Sequence, residues 1–189
     1  YPVDAIKAMS PAEIDIILKP DARTVRRVPW AAEPTAQLIH DCFYADGRRV
    51  KMAPREVLKH VLDLYAQKGW EPVVAPELEF YLVEVNTDSD YPLKPPIGRS
   101  GRSEPGRQSY SIAAVNEFDP LFDDLYQFCE DQDIEIDTLI HEDGPAQMEI
   151  NLLHGNALDL ADQAFMFKRT AREAALREAI RTCDKKLER

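Results

Sequence analysis

The segment at residues 75–82 predicts a β-strand that carries two glutamates where a buried strand would be apolar. Successive side chains of a strand point to opposite faces, so Glu77 and Glu79 share one face while Leu78 and Phe80 point to the other. Burying an unpaired carboxylate is costly, and two neighbouring carboxylates repel each other. The segment therefore predicts raised pKa values, a basic partner or a bound cation, and we favour the cation.

Composition limits the classes of partner. The chain has 189 residues, of which 44% are hydrophobic, and this length is enough to bury a sizeable core. Its formal net charge of -11 argues against a nucleic-acid or anionic-membrane surface, because phosphate recognition needs a basic footprint. No apolar run reaches the length of a membrane span, which is about 18 residues.

The cysteines and the first residues of the chain bear on the cellular compartment in which the protein is expected. Three cysteines, widely spaced and odd in number, indicate neither a disulfide framework nor a thiolate zinc site, so we expect a reducing, cytoplasmic environment. The first residues, 1–4, do not resemble a signal peptide. Because Tyr1 is not an initiating methionine, we expect residues upstream of it.

The first fifty residues predict a small antiparallel sheet that is incomplete at its N-terminal end. Short β-rich runs are separated by prolines, and Asp46-Gly47 supplies a tight turn. Pro54 then begins a helix that we expect to pack through one apolar stripe and to end at Gly69. The β-rich runs are residues 13–18, 24–28 and 36–44, and the stripe is Val57, Leu58, Val61, Leu62 and Tyr65.

A long loop follows the glutamate-bearing strand, which we place at 73–85. Residues 86–108 are rich in Pro, Gly, Ser and Arg, and loops of this length are usually functional or mobile. The sequence at 98–101, Gly-Arg-Ser-Gly, is similar to a phosphate cradle, but no strand leads into it and no helix leads out. We interpret it as a surface excursion with solvated arginines.

A hairpin supplies two further glutamates. Residues 134–142 and 147–152 alternate as strands around a loop at 143–146, which places Glu142 and Glu149 on one face as a diagonal pair. Diagonal neighbours lie about 7–8 Å apart, so their carboxylates can converge on one cation.

With Glu77 and Glu79 on a neighbouring strand, the ligand set would be entirely oxygen, which suits Mg²⁺ or Mn²⁺. The alternative is a solvated acidic face, since charged residues are seldom fully buried. His141 points to the face opposite Glu142, and we interpret it as structural rather than as a metal ligand.

The C-terminal region predicts one long helix. Asn156 begins it, its apolar pattern is well defined to Leu176, and the pattern continues without a stop signal. We expect residues 178–189 to form a charged helical tail.

Several separated motifs together resemble the glutamine synthetase family. The similarity covers about residues 10–177, and the motifs occur in the family's order. It implies an α+β fold in which residues 1–50 are the C-terminal part of a β-grasp domain. Residues 51–189 would then be the N-terminal half of the catalytic domain, an antiparallel sheet with packed helices. The motifs are residues 76–82, 141–150, 161–162 and 167–168, with 15–21, 28–30 and 54–55 at the domain junction.

The resemblance implies ATP-dependent ligation of glutamate to an amine, usually ammonia, through γ-glutamyl phosphate. It assigns Glu77 to the metal that bridges the transferring phosphate. It assigns Glu79, Glu142 and Glu149 to the other metal, and it places Asp137 near the nucleotide. A ring-shaped homo-oligomer, a dodecamer in the family, is also implied. Beyond Leu176 the family supplies further metal and substrate residues, so we expect one complete metal constellation here and a fragment of the other.

Three alternatives stay open at the level of sequence. One is a γ-glutamyl ligase for a larger amine such as putrescine. Another is a non-catalytic subunit of a synthetase oligomer. The last is a metal-binding β-rich domain unrelated to ligases, which would require all the separated motifs to match by chance.

Overall fold

The computed structural model describes residues 15–88, 90–104 and 106–184, without the side chains of 181–184. Residues 13–14 of the first predicted strand and 185–189 of the predicted tail lie outside these ranges. The described residues form two units, one made of 15–25 with 38–71 and the other of 26–37 with 72–184. The domain boundary that we place at residue 50 stays a prediction.

The elements are as follows. The helices are α1 (Pro54–Ala66), α2 (Ile112–Asn116), α3 (Asp119–Glu130) and α4 (Ala157–Arg177). The strands are β1 (Ile16–Pro20), β2 (Arg26–Arg27), β3 (Ala36–Gln37), β4 (His40–Tyr44), β5 (Val73–Val74), β6 (Glu77–Glu84), β7 (Ile136–His141), β8 (Gln147–Leu152), β9 (Gly155–Asn156) and β10 (Ile180–Asp184). Among the described residues, no helix has the length and apolar character that crossing a membrane requires.

The first unit contains an antiparallel ribbon and one helix. Strands β1 and β4 pair in register, and the turn predicted at Asp46-Gly47 is confirmed, with Gly47 at a φ of 85°. A left-handed conformation of this kind is the reason that glycine occupies the position. The ribbon agrees with the predicted sheet, whereas the β-grasp assignment stays a prediction.

Helix α1 forms where predicted but does not bury its apolar stripe. Leu58 and Leu62 are half-buried, while Val57 is 47% exposed and Val61 is 39% exposed. The expectation that this helix packs through the whole stripe is therefore wrong for its own unit, because the two-stranded ribbon is too small to cover a helix face.

An ion-pair cluster links the ribbon to α1. The guanidinium of Arg55 contacts Asp21 at 2.7 Å and Asp41 at 2.6 Å, and Lys59 contacts Asp41 at 2.6 Å. These side chains are 12–19% exposed, so the charges are partly desolvated and depend on one another for compensation.

The second unit contains a four-stranded antiparallel sheet in the order β10-β6-β8-β7. One face is apolar and buried by helices, as the alternation in β6 and β8 predicts: Phe80, Leu82, Met148 and Ile150 are at most 4% exposed. The Phe80 ring lies 6.4 Å from that of Phe167 on α4, which packs beside α3. The opposite face of the sheet holds the glutamates.

The β7–β8 hairpin has the predicted register. Ile140 lies opposite Glu149, and the Glu142 N–H donates to the Gln147 carbonyl at 2.7 Å. This closes the loop at residues 143–146 and confirms that Glu142 and Glu149 are a diagonal pair.

Helix α4 begins and ends almost where predicted, but the predicted helical tail is wrong over residues 178–184. The Asn156 side chain accepts hydrogen bonds from the Leu158 and Asp159 N–H groups, and the helix ends at Arg177. Ala179 adopts a φ of 54°, which reverses the chain, and β10 then pairs with β6. The open edge of β6 thus gains backbone hydrogen bonds that a continuing helix would leave unmade.

The loop at 98–101 is a closed turn and not a phosphate cradle, as its context predicts. Its N–H groups donate internally or to Glu117: Gly98 to the Arg102 carbonyl at 2.9 Å, and Ser100 to the Glu117 carboxylate at 2.9 Å. Arg99 contacts Asp119 at 2.6 Å, so this arginine is ion-paired and not merely solvated.

Candidate metal centre

Three glutamates meet on the polar face of the sheet. Glu79, Glu142 and Glu149 each offer a carboxylate oxygen, and these oxygens lie within 4.8 Å of one another. Glu79 lies directly opposite Glu149 in the β6–β8 ladder, and the closed hairpin loop brings Glu142 beside them. All three are half-buried, so solvent screens their mutual repulsion only in part.

Burial and neighbouring charges together shift the pKa of the Glu149 carboxyl group. Partial burial raises the pKa of the Glu149 carboxyl above its ordinary value. A hydrogen bond from Asn151 lowers it, whereas the charges of Glu142, Glu77 and Glu79 raise it further. A divalent cation between the carboxylates would remove this repulsion, because it reverses the sign of the local field.

The structure leaves two predicted residues outside this trio. Glu77 is exposed at the start of β6, opposite Asn151, and is close enough to act on the pKa of Glu149. Asp137 is exposed on β7 at an irregularity in the β7–β8 register, between Ile136 and Thr138. The metal role of Glu77 and the nucleotide role of Asp137 stay predictions.

Gln147 is a site residue that the sequence analysis missed. It is 3% exposed, and its Nε2 donates to Glu79 Oε2 at 2.6 Å while its Oε1 accepts from the Gly144 N–H at 2.9 Å. The backbone donor fixes the orientation of the amide, which in turn fixes one oxygen of Glu79. Its position two residues before Glu149, on the same face, is the signal that could have found it.

The donor set fits a hard divalent cation. Three convergent carboxylates with no sulfur or imidazole among them suit Mg²⁺ or Mn²⁺ better than zinc or copper. In addition, Asn151 Oδ1 is buried without a hydrogen-bond partner among the described residues. Buried carbonyl oxygens are nearly always satisfied, and Asn151 lies opposite Glu77 in the β6–β8 ladder, so this orphaned oxygen belongs to the face that holds the glutamates.

His141 takes the structural position that alternation predicts. It lies opposite Met148 on the buried face of the sheet and is 1% exposed. Its ring nitrogens are 2.7 Å from the Glu142 carbonyl and 3.0 Å from a Glu104 carboxylate oxygen, and it is not among the grouped metal-ligating side chains.

We expect Gly144→Ala to distort the centre. A Cβ at this position would lie 2.6 Å from the Tyr81 hydroxyl and 2.7 Å from Gln147 Oε1, both below contact distance. The amide that orients Glu79 must then move, so we expect destabilisation of about 1–3 kcal/mol and weaker Mn²⁺ binding. Thermal unfolding and calorimetric Mn²⁺ titration would measure the two effects, with Gly155→Ala as the control, because a Cβ there would meet its nearest atom, Leu160 Cδ1, at an ordinary contact distance of 3.8 Å. An unchanged metal affinity in Gly144→Ala would contradict the prediction.

Comparison with known proteins identifies the family. The family profile described as "Glutamine synthetase, catalytic domain" matches residues 51–183, which is well over half of the chain. The chain belongs to the glutamine synthetase family. The resemblance inferred from the separated motifs is thereby confirmed.

The names of curated relatives within this family indicate that they join different amines to glutamate. The chain is 36% identical over 149 residues to the gamma-glutamylputrescine synthetase of Escherichia coli (strain K12), covering 76% of this chain and 31% of that protein. It is 28% identical over 171 residues to a glutamate–isopropylamine ligase of Pseudomonas sp, covering 88% and 36%. It is 29% identical over 174 residues to the glutamine synthetase of Mycobacterium tuberculosis (strain H37Rv), covering 90% and 37%. The chain thus spans about a third of the length of these relatives.

Solved structures agree on the fold. A structure titled "Apo GmaS without ligand" superposes with a TM-score of 0.74 at 26% identity, covering 93% of this chain and 39% of that one. A structure titled "Crystal structure of novel glutamine synthase homolog" gives 0.72 at 22% identity, covering 92% and 38%. The fold is therefore of the glutamine synthetase type, with sheet and helices.

Proposed function

We propose that this chain is the metal-bearing part of an ATP-dependent ligase that joins an amine to the γ-carboxyl group of glutamate. The observation that carries the proposal is the convergence of three carboxylates on one face of the sheet, in a chain that belongs to the glutamine synthetase family. A carboxylate attacks a polyanionic phosphate only when the repulsion between them is neutralised, which is the chemistry that Mg²⁺ or Mn²⁺ supplies when bound.

The residues of this chain have distinct roles in the proposal. Glu79, Glu142 and Glu149 would hold the ion on the substrate side, and Gln147 keeps Glu79 oriented toward it. Glu77, exposed at the start of the strand, would hold the ion on the phosphate side. Asp137 would face the nucleotide. The buried apolar face of the sheet fixes the strands and hence the spacing of the carboxylates.

The amine is the finer part of the proposal. Ammonia, giving glutamine, is the first candidate because it is the usual acceptor that the family resemblance implies. Putrescine is the second candidate, favoured by the 36% identity to a gamma-glutamylputrescine synthetase against 29% to a glutamine synthetase. A non-catalytic role within a synthetase oligomer is the alternative if the chain binds metal without turnover.

Assembly and location complete the proposal. We expect a homo-oligomer, which sedimentation would detect. We also expect a reducing, cytoplasmic location, which is consistent with Cys42 and Cys129 being free thiols.

The test combines turnover with metal binding. We would measure glutamate-dependent phosphate release from ATP by this chain with ammonia, putrescine or isopropylamine, and Mn²⁺ binding by calorimetry. Glu142→Ala should weaken Mn²⁺ binding, whereas Glu135→Ala, an exposed glutamate before β7, should not. Turnover with one amine would identify the acceptor, and metal binding without turnover would support the non-catalytic alternative. Failure of the wild-type chain to bind Mn²⁺ would contradict the proposal.

A further inference from the structure

Glu104 is a buried carboxylate in the long loop and has no role in the function proposed above. Its side chain is only 7% exposed, which is rare for a glutamate unless it is paired. Its carboxylate accepts the Ala146 N–H at 2.7 Å and lies 2.9–3.0 Å from His141 Nε2. His141 precedes the loop at 143–146 and Ala146 ends it, so Glu104 joins the two ends of the loop that follows Glu142.

Neighbouring residues of the loop contact the same hairpin. The Ser109 hydroxyl donates to Asp143 Oδ1 at 3.0 Å, and Arg107 contacts the Asp143 carboxylate at 3.3 Å. The Tyr110 N–H donates to the His141 carbonyl at 2.9 Å. We call Glu104, Arg107, Ser109 and Tyr110 the brace. Of its contacts, those of Glu104 are buried and those of Arg107 and Ser109 are exposed, so Glu104 is its anchor.

The His141 ring transmits this contact to Glu142. His141 Nδ1 lies 2.7 Å from the Glu142 carbonyl oxygen, which can only accept a hydrogen bond, so this nitrogen carries the hydrogen. The other nitrogen faces Glu104. One imidazole therefore lies between the brace and the backbone of a metal-ligand candidate, and the carboxylate beside it fixes the orientation of the ring.

We propose that Glu104 is a positioning residue for the metal centre. It holds the hairpin loop closed, so that Glu142 lies beside Glu79 and Glu149 before the cation arrives. The inference rests on the proposed function, because it concerns the same metal centre. It assigns a task to the long loop: the ordering of the brace and the formation of the metal centre are coupled.

The experiment compares Glu104→Gln with Glu117→Gln in this chain. Glu117 is a matched control because it is a half-buried carboxylate that also accepts a backbone N–H, from Ser100 at 2.9 Å, and it touches no part of the hairpin loop in the contacts described above. Mn²⁺ affinity is measured by calorimetry and by the electron paramagnetic resonance spectrum of the bound ion. Amide hydrogen exchange of residues 142–147 reports on the closed loop, and far-UV circular dichroism checks that each variant folds.

We expect Glu104→Gln to weaken Mn²⁺ binding by roughly 10- to 100-fold, the usual range for groups that orient ligands, and to speed amide exchange in the hairpin loop. Glu117→Gln should change neither. A folded Glu104→Gln variant with wild-type Mn²⁺ affinity would overturn the inference and leave the metal centre intact. If Glu104→Gln does not fold, Glu104→Asp takes its place, because it keeps the charge and withdraws the carboxylate by one methylene from His141 and Ala146. Wild-type amide exchange and wild-type Mn²⁺ affinity in that variant would also overturn the inference. A wild-type chain that binds no Mn²⁺ would overturn the metal centre itself, and this inference with it.

Discussion

Glu149→Gln is expected to weaken Mn²⁺ binding on the order of 100-fold and, in the absence of metal, to stabilise the fold. The substitution keeps the size of the side chain but removes the charge that faces Glu79 across the ladder and Glu142 diagonally. Affinity falls because hard cations depend on ligand charge. Stability rises because the metal-free carboxylates repel one another. Calorimetry measures the first effect and thermal unfolding in a chelator measures the second.

The pH dependence gives the same prediction a second check. Because partial burial raises the pKa of Glu149, its protonated form favours the folded state. The contribution of protonated Glu149 to folding stability is therefore fully present below the pKa of an unfolded glutamate, about 4.3. This contribution is lost as pH rises through the higher pKa that Glu149 has in the folded state. The stabilisation by Glu149→Gln should accordingly be larger at neutral pH than at pH 4. A variant that loses stability at neutral pH, or that keeps its Mn²⁺ affinity, would indicate a solvated acidic face.

Arg55→Ala is expected to destabilise the first unit by about 3 kcal/mol. The substitution leaves Asp21 and Asp41 partly buried without their shared guanidinium, and breaking one partner of a buried ion pair costs about 3–5 kcal/mol, less here because the side chains are 12–18% exposed. Lys59 still compensates Asp41, which limits the loss. Hydrogen exchange of residues 16–20 and 40–44 would measure it. Arg48→Ala, which breaks an exposed pair with Asp46, is the control and should change little.

Acid should weaken the same cluster. Hydrogen bonds from Arg23 and Arg55 hold the pKa of Asp21 far below its usual value. Partial burial raises the pKa of Asp41, but hydrogen bonds from Lys59 and Arg55 outweigh it and lower the pKa overall. A lowered folded pKa gives stability that is present above the unfolded pKa, about 3.9, and is lost as pH falls through the folded value. Arg55→Ala should reduce this acid-dependent loss, and an unchanged acid profile would contradict the assignment.

The convergence of Glu79, Glu142 and Glu149 was largely predictable because strand alternation and loop length constrain it. Alternation places Glu77 and Glu79 on one face, and a closed loop at 143–146 is enough to set Ile140 against Glu149. What alternation cannot give is which strands are neighbours. The β6–β8 pairing, and with it the opposition of Glu79 and Glu149, entered the sequence analysis only as an expectation.

The remaining features depend on contacts between distant residues. Glu104 is one carboxylate in a polar loop, and only the fold brings it to His141, which lies 37 residues further on. The strand at 180–184 replaces the predicted helical tail because the edge of β6 was open, and local helix propensity does not register a vacant edge. The exposed apolar stripe of α1 is a second example, because a sequence pattern predicts an apolar helix face but not which part of the protein covers that face.

Glu79, Glu142 and Glu149 are proposed to bind one divalent cation between their carboxylates. X-ray diffraction from crystals soaked in Mn²⁺, collected near the manganese absorption edge, would locate such an ion. We expect an anomalous peak at roughly 2.0–2.6 Å, the range of bonds between hard cations and oxygen, from carboxylate oxygens of these three residues. The absence of any anomalous peak beside those three side chains, at a Mn²⁺ concentration that saturates the chain in solution, would contradict this binding site.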